Sequence, residues 1–197
     1  MNIAVFASHG GSDLQAIING CKNELMNAKV TVVISNNSDS LALQRAEKEN
    51  IPAYHLSVKK CGDEEKLAKE ILNVLSEYAV DMIFLAGYMR MLHTSIIEKF
   101  QNRIFNIHPA LLPKYGGKGM YGMNVHNAVI AGHEIETGVT IHRVNSEYDS
   151  GEIVAQTKVP VKADDTAETL AARVLEREHT FLIEVISDII SGKIVLG

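Results

Sequence analysis

The chain reads as an α/β protein built on a mostly parallel sheet with helices on both faces. Two observations predict this. The first half alternates short apolar runs with amphipathic segments, the pattern of successive strand and helix units. After residue 120 that alternation stops, and two strands joined by a polar turn precede one long helical stretch.

Residues 2 to 7 (NIAVFA), 30 to 35 (VTVVIS), 53 to 56 (AYHL), 81 to 86 (DMIFLA) and 103 to 107 (RIFNI) are near-continuous apolar runs, as strands covered on both faces require. Between them, residues 13 to 26, 39 to 50 and 63 to 79 repeat apolar positions at three- and four-residue spacing and are predicted as helices. A helix is expected from about 121 to 131, then strands at 138 to 144 and 152 to 160 with the turn NSEYDSG between them. The last helix is expected from Thr166 to Ser191, with Thr166 as N-cap and Glu168 as a first-turn acid suited to the helix dipole. The whole is Rossmann-like, with a C-terminal antiparallel strand pair and a long closing helix. Ligands on such sheets bind beyond the carboxyl ends of the strands, which directs attention to the loops at 8 to 13, 86 to 92 and 108 to 120.

At 197 residues the chain is expected to form a single domain, 1–197. A composition of 46% apolar and 22% charged residues, with no long apolar run and no secretion-type leader, predicts a soluble cytoplasmic protein without membrane contact. A net charge of -5 argues against a nucleic-acid surface, though it leaves room for a small anion in a locally positive pocket. Cys21 and Cys61 are read as reduced thiols.

The segment NIHPALLP, residues 106 to 113, carries the strongest chemical signal. On an extended strand, Asn106 and His108 project to the same side. A carboxamide can donate to a developing oxyanion and an imidazole can carry a proton near neutral pH, a pair suited to acyl-type transfer. A lone His on an apolar strand is otherwise a core histidine. Asp149, in the turn Glu147 to Gly151, is a candidate partner that would raise the imidazole pKa and orient it, or else an ordinary turn former.

The loop Ser8 to Asp13 turns on two glycines into a helix, an arrangement able to hold a phosphate on free N–H groups. It lacks GxGxxG spacing and a Walker lysine, so a monophosphate fits better than a dinucleotide, and a plain turn with Ser12 or Asp13 as cap is the alternative. The segment Leu85 to Leu92 surrounds Arg90 with apolar residues, where a flat heteroaromatic ligand could lie with its carboxylate on Arg90, unless Arg90 is simply solvated. No HExxH, paired Cys/His arrangement or nucleophile elbow occurs, so neither metal catalysis nor a covalent nucleophile is expected.

Taken together, NIHPALLPKY (106 to 115), LAGYMR (85 to 90), YDSGEIVAQ (148 to 156), SHGGSDLQAI (8 to 17) and REH (177 to 179) resemble the folate-dependent formyltransferases, from Met1 to about Ile190. The likeness is greatest to members acting on glycinamide ribonucleotide in de novo purine (IMP) biosynthesis. The resemblance implies transfer of a formyl group from 10-formyltetrahydrofolate, as co-substrate, to the amine of glycinamide ribonucleotide. It implies Asn106, His108 and Asp149 as the catalytic trio, with protonated His108 and Asn106 facing the oxyanion. Gly11, Ser12, Asp13, Gly87, Met89, Pro109 and Glu178 fall on the ribonucleotide side. Leu85, Arg90, Met91, Leu92 and Ile104, with Asn106 and Asp149, fall on the folate side.

Asp13 stands where the family often has Asn, so its carboxylate is expected to turn from the phosphate as a helix cap, with His9 compensating. The loop Gly116 to Gly122 is also more glycine-rich than the commonest family form. Relatives acting on aminoacyl-tRNA usually add a C-terminal nucleic-acid-binding domain, and deformylases an N-terminal one. Neither is expected here, the partners being the two small molecules and the assembly a monomer or homodimer. A catalytically silent nucleotide- or folate-binding module is the alternative from another class.

Overall fold

The computed structural model describes residues 1–195. In chain order the elements are β1 (Asn2–Phe6), α1 (Ser12–Lys22), β2 (Lys29–Ser35), α2 (Leu41–Lys48), β3 (Ala53–His55), α3 (Val58–Cys61) and α4 (Glu64–Glu77). They continue with β4 (Met82–Leu85), α5 (Thr94–Lys99), β5 (Ile104–His108), α6 (Met123–Ala131), β6 (Glu136–Arg143), β7 (Ile153–Pro160) and α7 (Ala167–Ile190). The seven strands form one sheet in the order β3-β2-β1-β4-β5-β6-β7. The first five run parallel, and β6 and β7 are antiparallel additions.

Alternation along β1 explains why the sheet is covered twice. Ile3 and Val5 point into one core, with α1, α2, α6 and α7, while Ala4 and Phe6 point into the other, with α4 and α5. All four are fully buried. Successive side chains on a strand face opposite ways, so a solid apolar run supplies both layers at once.

Helix starts follow side-chain chemistry. Ser40 caps α2 by accepting from the Ala42 N–H, and Asp63 caps α4 by accepting from Lys66. The expected cap at Thr166 is present, paired reciprocally with Thr169. Along α7, Leu170, Val174, Leu182 and Ile186 form a buried stripe at four-residue spacing that packs on the first core. Burying each such side chain contributes about 1.5–3 kcal/mol.

The structure differs from expectation at short elements. Periodicity extended α1 to residue 26, but the helix stops at Lys22, and Glu24 adopts φ 56°. Neither α3, with four residues, nor α5, with six, was expected, because so few turns show no period. The strand expected from 138 begins at Glu136. Cys21 and Cys61 are both free thiols. Among the described residues no helix is long and apolar enough to cross a membrane.

Strand order reverses between β1 and β4, which both pair with neighbours leading away in opposite directions. The loops leaving the carboxyl ends of β1, β4 and β5 therefore meet above the sheet.

Candidate active site

Those loops, with α6, the 145 to 149 turn and one face of α7, line a cleft of about 720 Å³. Its size suits a substrate-sized ligand. β5 delivers Asn106 and His108 to its floor, and β6 lies antiparallel alongside, with His142 directly opposite Asn106 and Thr140 opposite His108.

Asp149 is the hub of the floor. Its backbone has φ 51°, and its side chain turns inward, 12% exposed. Asn106 Nδ2 donates to Asp149 Oδ1 at 3.3 Å, and the Gly117 N–H donates to Oδ2 at 2.9 Å. His108 Nδ1 stands 3.6 Å from Oδ2, and His142 Nε2 stands 3.5 Å from Oδ1. The hydrogen bonds and the imidazoles outweigh burial and hold the Asp149 carboxyl below its ordinary value.

His108 is 4% exposed. Burial pushes its imidazole below the ordinary 6.5, although the Asp149 charge and the Tyr115 carbonyl pull the other way. The expected rise from Asp149 is therefore overridden by desolvation, which penalises the imidazolium more than one carboxylate at 3.6 Å favours it. At neutral pH this favours the uncharged form of the resting His108.

Sequence reasoning missed His142. Its Nδ1 lies 2.8 Å from the Arg143 carbonyl, an acceptor only, so Nδ1 carries a proton, and its Nε2 lies 3.1 Å from Asn106 Nδ2. The signal was available as alternation: Thr140 and His142 share one face of a strand that pairs beside Asn106 and His108. Thr140 was missed too. Its hydroxyl donates to the Ala110 carbonyl at 2.6 Å and accepts from Leu112 N–H and Gln156 Nε2, pinning the loop after His108.

On the opposite side, Ser8 knits two loops together. Its hydroxyl donates to Asn36 Oδ1 at 2.5 Å and accepts from the Met89 N–H at 2.8 Å. Gly11 occupies the N-cap position of α1 at φ 68°, where a Cβ would lie 2.9 Å from Ala42 Cα. Only glycine fits there. Gly11 and Ser12 stand beside the cleft, while His9 and Asp13 line it.

The expected cap at Asp13 or Ser12 is corrected, because α1 has no side-chain cap. Asp13 instead turns inward, with Oδ1 buried, without a hydrogen bond, and 3.4 Å from His179 Nε2. Burial pushes its carboxyl from 3.8 up to about 6. Glu178, also lining the cleft and 7% exposed, is raised well above its ordinary value by burial and then by the Asp13 charge. Glu178 falls within the apolar stripe of α7, between Val174 and Leu182. An acid at that position is the signal that marks it.

Leu85, Gly87, Met89, Arg90, Met91, Leu92 and Pro109 all line the cleft. Arg90 is not simply solvated, since its guanidinium pairs with Glu64. Ile104 is 2% exposed and packs in the α4 and α5 core, below the residues that line the cleft. Its neighbours on β5 alternate, so the residue two before Asn106 shares Asn106's face but sits too deep in the sheet. Among the described residues no group of three or more His, Cys, Asp or Glu side chains could hold a metal ion.

Known proteins resemble this chain over nearly its whole length. The family model described as formyl transferase matches residues 1–186. The chloroplastic phosphoribosylglycinamide formyltransferase of Arabidopsis thaliana is 42% identical over 193 residues, covering 98% of this chain, which spans 66% of that relative's length. Phosphoribosylglycinamide formyltransferase of Escherichia coli (strain K12) is 36% identical, with 98% of this chain and 89% of the relative covered. The crystal structure of glycinamide ribonucleotide transformylase 1 from Symbiobacterium toebii superposes with a TM-score of 0.90 at 34% identity, covering 98% of this chain and 88% of that one. The chain belongs to the formyl transferase family.

Proposed function

We propose that the protein acts as a single domain that transfers a formyl group from 10-formyltetrahydrofolate to the amine of glycinamide ribonucleotide, giving formylglycinamide ribonucleotide and tetrahydrofolate in de novo purine synthesis. The observation that carries this reading is the joining of Asn106, His108 and Asp149 at the cleft floor, within 3.3 Å and 3.6 Å of the same carboxylate. The relatives' names support the choice of acceptor and of the group transferred.

In this mechanism the acceptor amine attacks the formyl carbon and a C–N bond forms. Asn106 donates an N–H to the resulting oxyanion; the N–H now aimed at Asp149 Oδ1, with the heavy atoms a long 3.3 Å apart, is the one free to turn toward it. The attacking nitrogen loses a proton to His108, uncharged at rest, and the imidazolium then formed is stabilised by Asp149. Collapse breaks the bond between the formyl carbon and the folate nitrogen, which receives the proton. No covalent enzyme intermediate and no metal is needed.

Gly11, Ser12, Asp13, Gly87, Met89, Pro109 and Glu178 serve the ribonucleotide side. Glu178, beside Asp13, faces the amine-bearing end. The folate side is formed by Leu85, Arg90, Met91 and Leu92, whose apolar surfaces suit a flat ring, and Arg90 reaches a carboxylate by exchanging Glu64 for it.

The test mixes the protein with 10-formyltetrahydrofolate and follows absorbance as the formyl group leaves. Turnover only with glycinamide ribonucleotide present supports transfer. Turnover without it indicates deformylation, and binding without turnover indicates a silent module; either would overturn the reading.

A further inference from the structure

His108 Nε2 lies 2.7 Å from the Tyr115 carbonyl oxygen. A carbonyl only accepts, so that nitrogen carries the hydrogen, and in the uncharged ring Nδ1 holds the lone pair beside Asp149. The other tautomer would set two lone pairs against each other at that distance.

Tyr115 is held in an unusual way. Its backbone adopts φ 58°, a left-handed conformation that costs a non-glycine residue energy unless its surroundings impose it. The anchor is its side chain. Tyr115 Oη donates to Glu134 Oε1 at 2.7 Å, and Lys114 pairs with the same carboxylate oxygen. Gly132 makes room, since a Cβ there would lie 2.3 Å from Tyr115 Oη. Two residues on, the Gly117 N–H donates to Asp149 Oδ2 at 2.9 Å. One short turn therefore grips His108 through a carbonyl and Asp149 through an N–H.

We propose that the Tyr115 to Gly117 turn, anchored through the Tyr115 hydroxyl on Glu134, is a positioning device that commits His108 to its Nε2–H tautomer and makes Nδ1 the nitrogen that carries the reaction's proton. Tyr115 and Glu134 touch neither reacting group; they act through His108. The inference rests on the formyl-transfer reading for its kinetic consequence and on geometry alone for the tautomer.

The test compares wild type with Tyr115→Phe, Glu134→Ala and the conservative Glu134→Gln. Nitrogen NMR of histidine-labelled resting protein, with His108 assigned by its loss in His108→Gln, reads the tautomer without substrate. Wild type should show hydrogen on Nε2 and a lone pair on Nδ1. Tyr115→Phe and Glu134→Ala should show a mixture, with Glu134→Gln closer to wild type because an acceptor for the hydroxyl remains. Turnover number should fall about fivefold to tenfold in the first two, the equivalent of one net hydrogen bond, with both KM values within about twofold. Hydrogen on Nδ1 with a lone pair on Nε2 in wild type would overturn the proposal. So would an unchanged tautomer in both disruptive variants, whatever their rates. If the wild type fails to transfer formyl groups, the NMR result still stands or falls independently.

Discussion

Replacing Asp13 by Asn should make the protein more stable at alkaline pH and leave the difference much smaller in acid. Burial holds the Asp13 carboxyl protonated up to about pH 6, against 3.8 in an exposed chain. Between those values the folded state keeps a proton that the unfolded state has released, so stability falls as pH rises through the window. At about 1.4 kcal/mol per pH unit, the accumulated penalty above pH 6 is about 3 kcal/mol. Asparagine cannot ionise, so the variant escapes this penalty. It also relieves Glu178, which Asp13's charge pushes further upward, an effect of the same sign. A buried amide left short of partners costs energy too, but equally at every pH. Urea unfolding of both proteins at pH 3.5 and pH 8 separates the two contributions. The stability of the variant relative to wild type should rise by about 3 kcal/mol from the lower pH to the higher. A difference that stays flat, or that moves against the variant at pH 8, would refute the account of Asp13 as a buried acid carrying a desolvation penalty.

His108→Ala and Asp149→Asn should each lower kcat by about 10²–10⁴, with ribonucleotide affinity within a few-fold by calorimetry, because both act on the transition state. The acid limb of the wild-type kcat/KM profile should fall below pH 6.5, since burial lowers His108 and activity is lost only once that imidazole gains a proton before the reaction. A limb above 6.5 would point to another group. Leu182→Ala, in the middle of the α7 stripe and 1% exposed, should cost about 2–5 kcal/mol by denaturant unfolding and leave the kcat of the folded fraction unchanged.

Much of the fold was legible because its signals are local. The solid apolar runs at β1, β2 and β4 and the stripe on α7 announce buried strands and a covering helix through period alone. Asn106 and His108 were legible for the same reason, two apart on one strand. His142 was not, because its relation to Asn106 is a register across an antiparallel pair formed by segments 36 residues apart. Asp13 misled for a related reason: an acid at a helix start reads as a cap, and only the packing of α7 against α1 shows that it turns into the interior.

Residue order alone therefore determined the alternation of strands and helices, the strand that carries Asn106 and His108, and the glycine turn opening α1. Tertiary structure decided which groups share a charge environment. Asp149 reaches the floor only when its turn folds back over β5, and His108 is pushed down rather than up because burial there outweighs the carboxylate. Hydrophobic period is written along the chain, one residue after another. Desolvation and hydrogen-bond geometry depend on what closes over a side chain from distant segments, and no local pattern records that.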